Sequence, residues 1–262
     1  MSEYIHGATD PHEIARLEDM AVFTAHFYFI RDLALQSGER VLDLACGVGA
    51  MTEQLAIRCP SIRLFGVDIQ MRSLHSAKAN HPGFFYSQAD GACLPFGDKT
   101  FDFVHCSWLL EHVPSPLNIL NEVNRVLKVG GECQFIEVDN SSFRTHPEYP
   151  EVIEVMSTLC RIQTESGGDP DIGRRLVPLF QEAGFSNVDA HPLDLRGDVS
   201  DTFVLQGLTG VFSNIFESVE QSLGSDMAPK VRIAAARIRE LRSLEGGAIF
   251  YSPVVCRGKR KR

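Results

Sequence analysis

Long hydrophobic runs are missing from this 262-residue sequence, and so is a leading signal segment. Its seven cysteines include no Cys-x-x-Cys pair, and no group of His and Cys residues has the spacing of metal ligands. We therefore expect a protein that neither crosses a membrane nor holds a metal ion. Unpaired thiols of this kind are typical of the reducing cytoplasm, which is the location that we predict.

Positive charge is also scarce. Lys and Arg total 25 against 34 Asp and Glu, so the formal net charge is −9. Nucleic-acid backbones and anionic membrane surfaces bind basic faces, and this balance therefore disfavours both as partners. The one basic run, residues 257–262, is predicted to be a solvated tail.

Short apolar runs alternate with helical patterns from residue 40 onward. The pattern predicts five early strands, at 40–45, 63–68, 83–90, 100–107 and 132–139. Helices are predicted at 51–58, at about 70–79 and from Pro116 to 127, where Gly130 and Gly131 end the last one. With two late strands at 187–195 and 247–256, this alternation predicts a Rossmann-like α/β fold: an open, mostly parallel seven-stranded sheet with helices on both faces.

Further helical patterns lie outside the alternating region. They cover residue 10 to about 35, 148–166, 172–183, 201–222 and 227–243. We expect a single domain of residues 1–262 with an added helical cap. In this division residues 1–36 form the N-terminal part of the cap, 37–140 the cofactor-binding core, and 141–262 a C-terminal half with the cap insertion and the last strands.

The segment "VLDLACGVG" (41–49) ends a predicted strand in two glycines and leads directly into a helix. Such a turn opens backbone N–H groups and the positive helix end to a ligand, although a simple tight turn is the alternative. The dinucleotide fingerprint would need a third glycine where Thr52 stands, and no Gly-Lys-Ser/Thr of a phosphate loop follows.

Acidic residues follow the next strands. Asp68 ends its strand about twenty residues after the glycines, where a carboxylate accepts hydrogen bonds from two ribose hydroxyls. Asp90 ends the following strand and could accept from the amine of adenine; an Asx turn with Gly91 is its alternative role. Asp43, inside the first strand, would suit a ligand with a positively charged end group. Together these residues predict a pocket for S-adenosylmethionine.

Four segments carry a family resemblance: "VLDLACGVG", "GVDIQ", "QADGACLPFGDKTFDFVHCSWLLEHV" and "EVNRVLKVGGE". In this order they resemble class I S-adenosylmethionine-dependent methyltransferases, in the small-molecule branch of the ubiquinone/menaquinone-biosynthesis enzymes. The resemblance covers about residues 38–140. It implies methyl transfer to a small-molecule acceptor and release of S-adenosylhomocysteine. Val129 stands where the family commonly has proline, which affects no functional residue.

The resemblance also implies the contacts of the cofactor. They are Gly47, Gly49 and Ser107 along the methionine part, Asp68 at the ribose, and Asp90 with Gly91 at the adenine; Ile69 is also predicted to bind the cofactor. A second similarity concerns the segment "YIHG", which closes over the cofactor in one subgroup and would bring Tyr4 and His6 to it. The alternative is an ordinary disordered terminus.

Methyl transfer from a sulfonium requires mainly alignment and exclusion of water, with a base only if the acceptor still carries a proton. His112, next to Glu111, is the candidate base, with a purely structural pair as the alternative. Glu137 and Asp139 are further candidates for the base, or could instead bind a cationic acceptor such as an amine. Trp108, Leu109, His112 and Glu137 are predicted to line the substrate pocket. Two other functions stay open, an NAD-dependent oxidoreductase and a non-catalytic cofactor-binding module. The protein is expected to be a monomer or homodimer.

Overall fold

The computed structural model describes residues 11–28, 33, 35–220 and 223–261. Within them the helices are α1 (Pro11–Tyr28), α2 (Ala50–Arg58), α3 (Met71–Asn80), α4 (Pro116–Val126), α5 (Pro150–Glu165), α6 (Leu176–Glu182), α7 (Thr202–Ser218) and α8 (Ala228–Glu240). The strands are β1 (Arg40–Leu44), β2 (Arg63–Asp68), β3 (Phe85–Gln88), β4 (Phe101–Ser107), β5 (Leu127–Glu137), β6 (Arg144–His146), β7 (Phe185–Pro192), β8 (Leu195–Gly197), β9 (Ala248–Tyr251) and β10 (Val254–Arg260).

Seven of these strands form the main sheet, in the order β3-β2-β1-β4-β5-β10-β7. The first five are parallel to their neighbours, while β10 is antiparallel to both β5 and β7. A small antiparallel sheet, β6-β9-β8, lies beside it. The predicted fold class is confirmed, and the carboxyl ends of β1, β2, β3 and β4 meet along one edge of the main sheet.

Two hydrophobic clusters cover the two faces of the main sheet. Successive residues of β1 point to opposite faces, so Val41 belongs to one cluster and Leu42 to the other. The first cluster packs α1, α2, α5, α7 and α8 on the sheet. The second packs α4 and α6, whose buried residues recur at helical spacing. Helices α1, α5, α7 and α8 thus share one face of the sheet, whereas α6, also among the helices predicted outside the core, packs on the opposite face. The cap and the division of the chain at residues 36 and 140 stay predictions.

The end of the chain differs from the sequence-based prediction. Residues 247–256 are not one strand, because Ser252 and Pro253 separate β9 from β10 and the two strands enter different sheets. The predicted solvated tail is also wrong. Residues 257–260 belong to β10, where the Arg260 guanidinium donates to the carbonyls of Arg125 and Leu127. These hydrogen bonds and the strand pairing hold the basic residues in place.

Two element ends were also predicted incorrectly. Helix α4 stops at Val126 and β5 begins at the next residue, so Gly130 and Gly131 lie within a bulged part of the strand. A side chain on Gly131 would come within 2.9 Å of the Asp102 carbonyl, which explains the glycine there. Residues 33, 35 and 36 are not helical, whereas 29–32 and 34, also in the predicted first helix, lie outside the described residues.

Candidate functional site

A cavity of about 820 Å³ opens at the carboxyl ends of the parallel strands. Most of the residues predicted to bind the cofactor or acceptor line it: Gly47, Asp68, Ile69, Asp90, Gly91, Ser107, Trp108, Leu109 and His112. Loops after four different strands therefore contribute to one cavity. Tyr4 and His6 lie outside the described residues, so their predicted contact stays a prediction.

The two glycines of the first loop have different surroundings. Gly47 has φ +52°, and a Cβ there would meet nothing within 4 Å, so its backbone faces open space in the cavity. Gly49 has φ +83° and does not line the cavity; a Cβ would lie 2.7 Å from Tyr86 Oη and 3.1 Å from Ala77. Gly47 thus leaves room for a ligand, while Gly49 is required by packing of the loop on β3 and α3.

The Asp68 carboxylate accepts hydrogen bonds from the loops that follow β1 and β2. Its Oδ2 accepts from the Gly47 N–H at 2.9 Å, and its Oδ1 accepts from the Gln70 N–H at 2.8 Å. Burial raises the pKa of this carboxyl, and the backbone hydrogen bonds partly oppose the shift. Each oxygen keeps a second acceptor position, which fits the hydroxyls of a ribose.

Asp43 does not contact the cavity, contrary to the expectation that it would suit a cationic ligand end. It is 1% exposed, and its Oδ2 accepts from the Thr52 hydroxyl at 2.5 Å. Burial is the main cause that raises its pKa to about 7. Thr52, at the position of the missing third glycine, therefore joins the start of α2 to β1.

Asp90 takes part in a local turn and also lines the cavity. Its Oδ1 accepts from the Ala92 N–H at 2.8 Å, which is the Asx turn considered as its alternative role. Because the residue is exposed and borders the cavity, its second oxygen stays available to a ligand. The turn and a contact to adenine are therefore compatible.

A second cavity of about 170 Å³ adjoins the first. Met20, Thr24, Trp108, His112 and Gln163 line both. The rest of its lining is mostly apolar or aromatic, with Glu111 and Asn140 as polar members: Phe23, Glu111, Val138, Asn140, Met156, Leu159, Leu208, Val211, Phe212, Ile215, Val219 and Tyr251. Among the described residues, no Lys or Arg lines either cavity.

The residues that line both cavities form a shared wall, and two of them, His112 and Gln163, lie against Glu111, which lines the second cavity. The side chain of His112 is 34% exposed, and its Nε2 lies 3.6 Å from Glu111 Oε1. Glu111 is buried, and its Oε2 accepts from Gln163 Nε2 at 2.7 Å. A carboxylate, an imidazole and an amide thus follow one another along the wall between the cavities.

Glu137 was predicted to line the substrate pocket, and this is wrong. Its side chain is fully buried and borders neither cavity. Oε1 accepts from the N–H groups of Leu109 (3.1 Å) and Leu110 (2.8 Å), so the carboxyl anchors the turn that carries the shared wall. Burial, followed by the nearby Glu111 charge, raises its pKa to about 8. Asp139 is not available for a cation either, because it pairs with Arg174 at 2.7 Å.

Several lining residues were not predicted. Gln163 comes from α5, Asn140 follows β5, and Tyr251 ends β9, and no sequence pattern connects these elements. The described residues contain no helix long and apolar enough to cross a bilayer. They also contain no group of three potential metal-binding side chains.

Known proteins resemble this chain in sequence and fold. Residues 42–135 match the family described as a methyltransferase domain. Demethylmenaquinone methyltransferase of Lactococcus lactis is 31% identical over 175 residues, 58% of this chain and 68% of that protein. A Synechocystis protein named as an uncharacterized methyltransferase is 38% identical over 115 residues, 43% of this chain; the match spans only 53% of that relative.

A solved structure extends the likeness to nearly the whole chain. Phosphoethanolamine N-methyltransferase 2 of Haemonchus contortus superposes with a TM-score of 0.57 at 13% identity, over 94% of this chain and 53% of that one. At this identity the likeness concerns the fold alone.

The fold and the site thus define a class I enzyme that uses S-adenosylmethionine. The chain belongs to the S-adenosylmethionine-dependent methyltransferase family that includes the demethylmenaquinone methyltransferases. The predicted family, enzyme class and cofactor are confirmed at this level, and the cavity fits the cofactor because Gly47 leaves open space beside Asp68.

Proposed function

We propose that this chain transfers the methyl group of S-adenosylmethionine to a small, largely apolar acceptor. The observation that carries the proposal is the shared wall: the cofactor-sized cavity and the apolar cavity meet at Trp108, His112 and Gln163. In-line displacement at a sulfonium needs donor and acceptor on opposite sides of one junction. The two cavities provide this arrangement.

The cofactor contacts follow from the first cavity. Asp68 would accept from the ribose hydroxyls, Asp90 with Gly91 would receive the adenine, and Gly47 and Ser107 would lie along the methionine part. The cofactor supplies an already activated methyl group. The chain's contribution is to orient it and to keep water from the junction, which the apolar lining of the second cavity supports.

His112 is the proposed base for an acceptor that still carries a proton. It is partly exposed at the junction, and Glu111 lies close enough to stabilise an imidazolium. The buried Glu111 carboxylate is in turn held by Gln163. For an acceptor without a transferable proton, alignment alone would suffice.

The lining narrows the class of acceptor. The Lactococcus relative is named for a demethylmenaquinone acceptor, and a neutral ring compound would suit the apolar wall. The Haemonchus structure is named for a phosphorylated amine, but the described lining of this chain offers no Lys or Arg to a phosphate. We therefore propose a neutral acceptor without phosphate or carboxylate.

We also propose the predicted location, partner, oligomeric state and domain boundaries of the enzyme. All seven cysteines are free thiols, which supports the reducing cytoplasm. The net charge of −9 supports a small molecule rather than a nucleic acid as the partner. The monomer or homodimer and the boundaries at residues 36 and 140 belong to the same proposal.

A calorimetric titration with S-adenosylhomocysteine, and with NADH as the control ligand, tests the first cavity. Micromolar binding of the former alone would support the proposal, whereas binding of NADH alone would favour an oxidoreductase. A screen for S-adenosylhomocysteine release with neutral hydroxylated ring compounds, and with phosphoethanolamine as the charged control, tests turnover. Tight cofactor binding without turnover of any acceptor would favour the non-catalytic module.

A further inference from the structure

Gln163 occupies an unusual position for a residue of the cap. It lies near the end of α5, more than fifty residues after the Glu111–His112 turn, yet it borders both cavities at their junction. Its Nε2 donates to Glu111 twice, to Oε2 at 2.7 Å and to the backbone carbonyl at 3.2 Å. The amide is therefore fixed by two acceptors of one residue.

These two partners determine which way the amide points. Both are oxygen acceptors, so the NH₂ group must face Glu111 and the carbonyl Oε1 must face away from it. The two N–H bonds are used by Glu111, and no described residue donates to Oε1. Gln163 thus presents an oriented acceptor, without a donor among the described residues, at the junction of the two cavities.

The end of α5 is built to hold this arrangement. The Glu111 carbonyl also accepts from the Asp169 N–H at 3.0 Å, and Gly168 N–H donates to the Gln163 carbonyl at 2.9 Å. A Cβ on Gly168 would come within 2.3 Å of the Glu111 carbonyl, so only glycine allows the chain to pass there. The segment "GGDP" (167–170) therefore clamps Gln163 to the turn of the shared wall.

We propose that Gln163 is a specificity-determining residue, whose Oε1 accepts a hydrogen bond from an O–H or N–H group of the methyl acceptor. This inference rests on the proposed function. The acceptor's donor group is thereby drawn toward the junction, beside His112. Acceptors of equal size that lack such a donor lose this interaction and bind without a defined orientation.

The test uses two probes of matched shape, 4-ethylphenol and 4-ethyltoluene, which differ by a hydroxyl in place of a methyl group. Trp108 is the single tryptophan of the chain and lines both cavities, so its fluorescence reports binding with S-adenosylhomocysteine present. In Gln163→Met, which keeps the length but removes the amide, the preference for the phenol should fall by about fivefold relative to the wild type, the size expected for one neutral hydrogen bond.

Controls separate this role from a loss of structure. Thr164→Ala, on the exposed side of the same helix turn, should keep the wild-type preference. S-adenosylhomocysteine affinity should stay within about twofold in both variants, because Gln163 would touch the acceptor side of the junction. If Gln163→Met does not fold, Gln163→Asn, which keeps an amide one methylene shorter, replaces it with the same expectation.

Two results would overturn the inference. One is an unchanged phenol preference in Gln163→Met; the other is failure of 4-ethylphenol to bind the wild type while S-adenosylhomocysteine is bound. Failure of S-adenosylhomocysteine itself to bind would instead refute the proposed function. The two hypotheses therefore fail in different measurements.

Discussion

Replacing Glu137 by glutamine should make the protein more stable at pH 8 than the wild type. The carboxyl is fully buried, and Oε2 has no hydrogen-bond partner among the described residues. Glutamine keeps an acceptor oxygen for the N–H groups of Leu109 and Leu110 and removes the ionisable proton. The folded protein holds that proton with a pKa of about 8, against the ordinary value of 4.5.

The direction of the effect follows from linkage. A raised folded-state pKa gives stability that is fully present below the unfolded pKa and is lost as pH rises through the folded value. Between pH 5 and pH 8 the wild type should therefore lose about 3 kcal/mol from this group. Glu137→Gln should lose none of it, so the difference in unfolding free energy between the two proteins should grow by that amount.

Urea denaturation at several pH values between 5 and 8 measures this difference directly. Asp43, whose pKa is also raised, is present in both proteins and cancels. Glu132→Gln serves as the matched control, because Glu132 lies on the same strand but is half-exposed beside Lys259, and its curve should parallel the wild type. Parallel curves for Glu137→Gln as well would refute the reasoning.

Three further predictions concern the site. Gly49→Ala should lower the unfolding free energy by more than Gly47→Ala, measured by denaturation, because both positions have positive φ at a cost of about 1–2 kcal/mol but only Gly49 also meets Tyr86 and Ala77; equal losses would contradict this packing argument. Asp68→Asn should weaken S-adenosylhomocysteine binding about tenfold or more by calorimetry, since the amide cannot accept from both backbone N–H groups and two ribose hydroxyls; an unchanged affinity would remove the ribose assignment. His112→Ala should slow turnover of a protonated acceptor by about a hundredfold without changing cofactor affinity; a near-normal rate would return His112 to a structural role.

The cofactor cavity could be predicted from sequence because its residues follow consecutive strands. Asp68 and Ser107 end parallel strands, Gly47 and Asp90 lie in the loops that follow two others, and parallel topology alone brings such ends to one edge. The pattern does not show whether a side chain at a strand end points into the cavity or into the protein interior. Glu137 also ends a strand, but its side chain points to the backbone of the neighbouring turn and not into the cavity.

The second cavity could not be predicted for a different reason. Its walls come from α1, α5, α7 and β9, elements whose apolar residues serve helix packing and cavity lining alike. Helical spacing does not distinguish residues that pack between helices from residues that line a cavity. Gln163 is one polar residue on such a helix, and its partner Glu111 lies on a distant turn. Likewise, the pairing of β10 between β5 and β7 depends on residues far apart in sequence.

The place of β10 has a consequence for biosynthesis. The ribosome makes β5 and β7 well before residues 254–260. Until β10 has been made, the edges of β5 and β7 that pair with it have no partner strand. Exposed edges of this kind invite pairing with other nascent chains. The main sheet closes only when β10 inserts antiparallel between them, more than a hundred residues after β5, and such long-range pairing is slow. The main sheet of the nascent chain therefore becomes continuous only once β10 has been made.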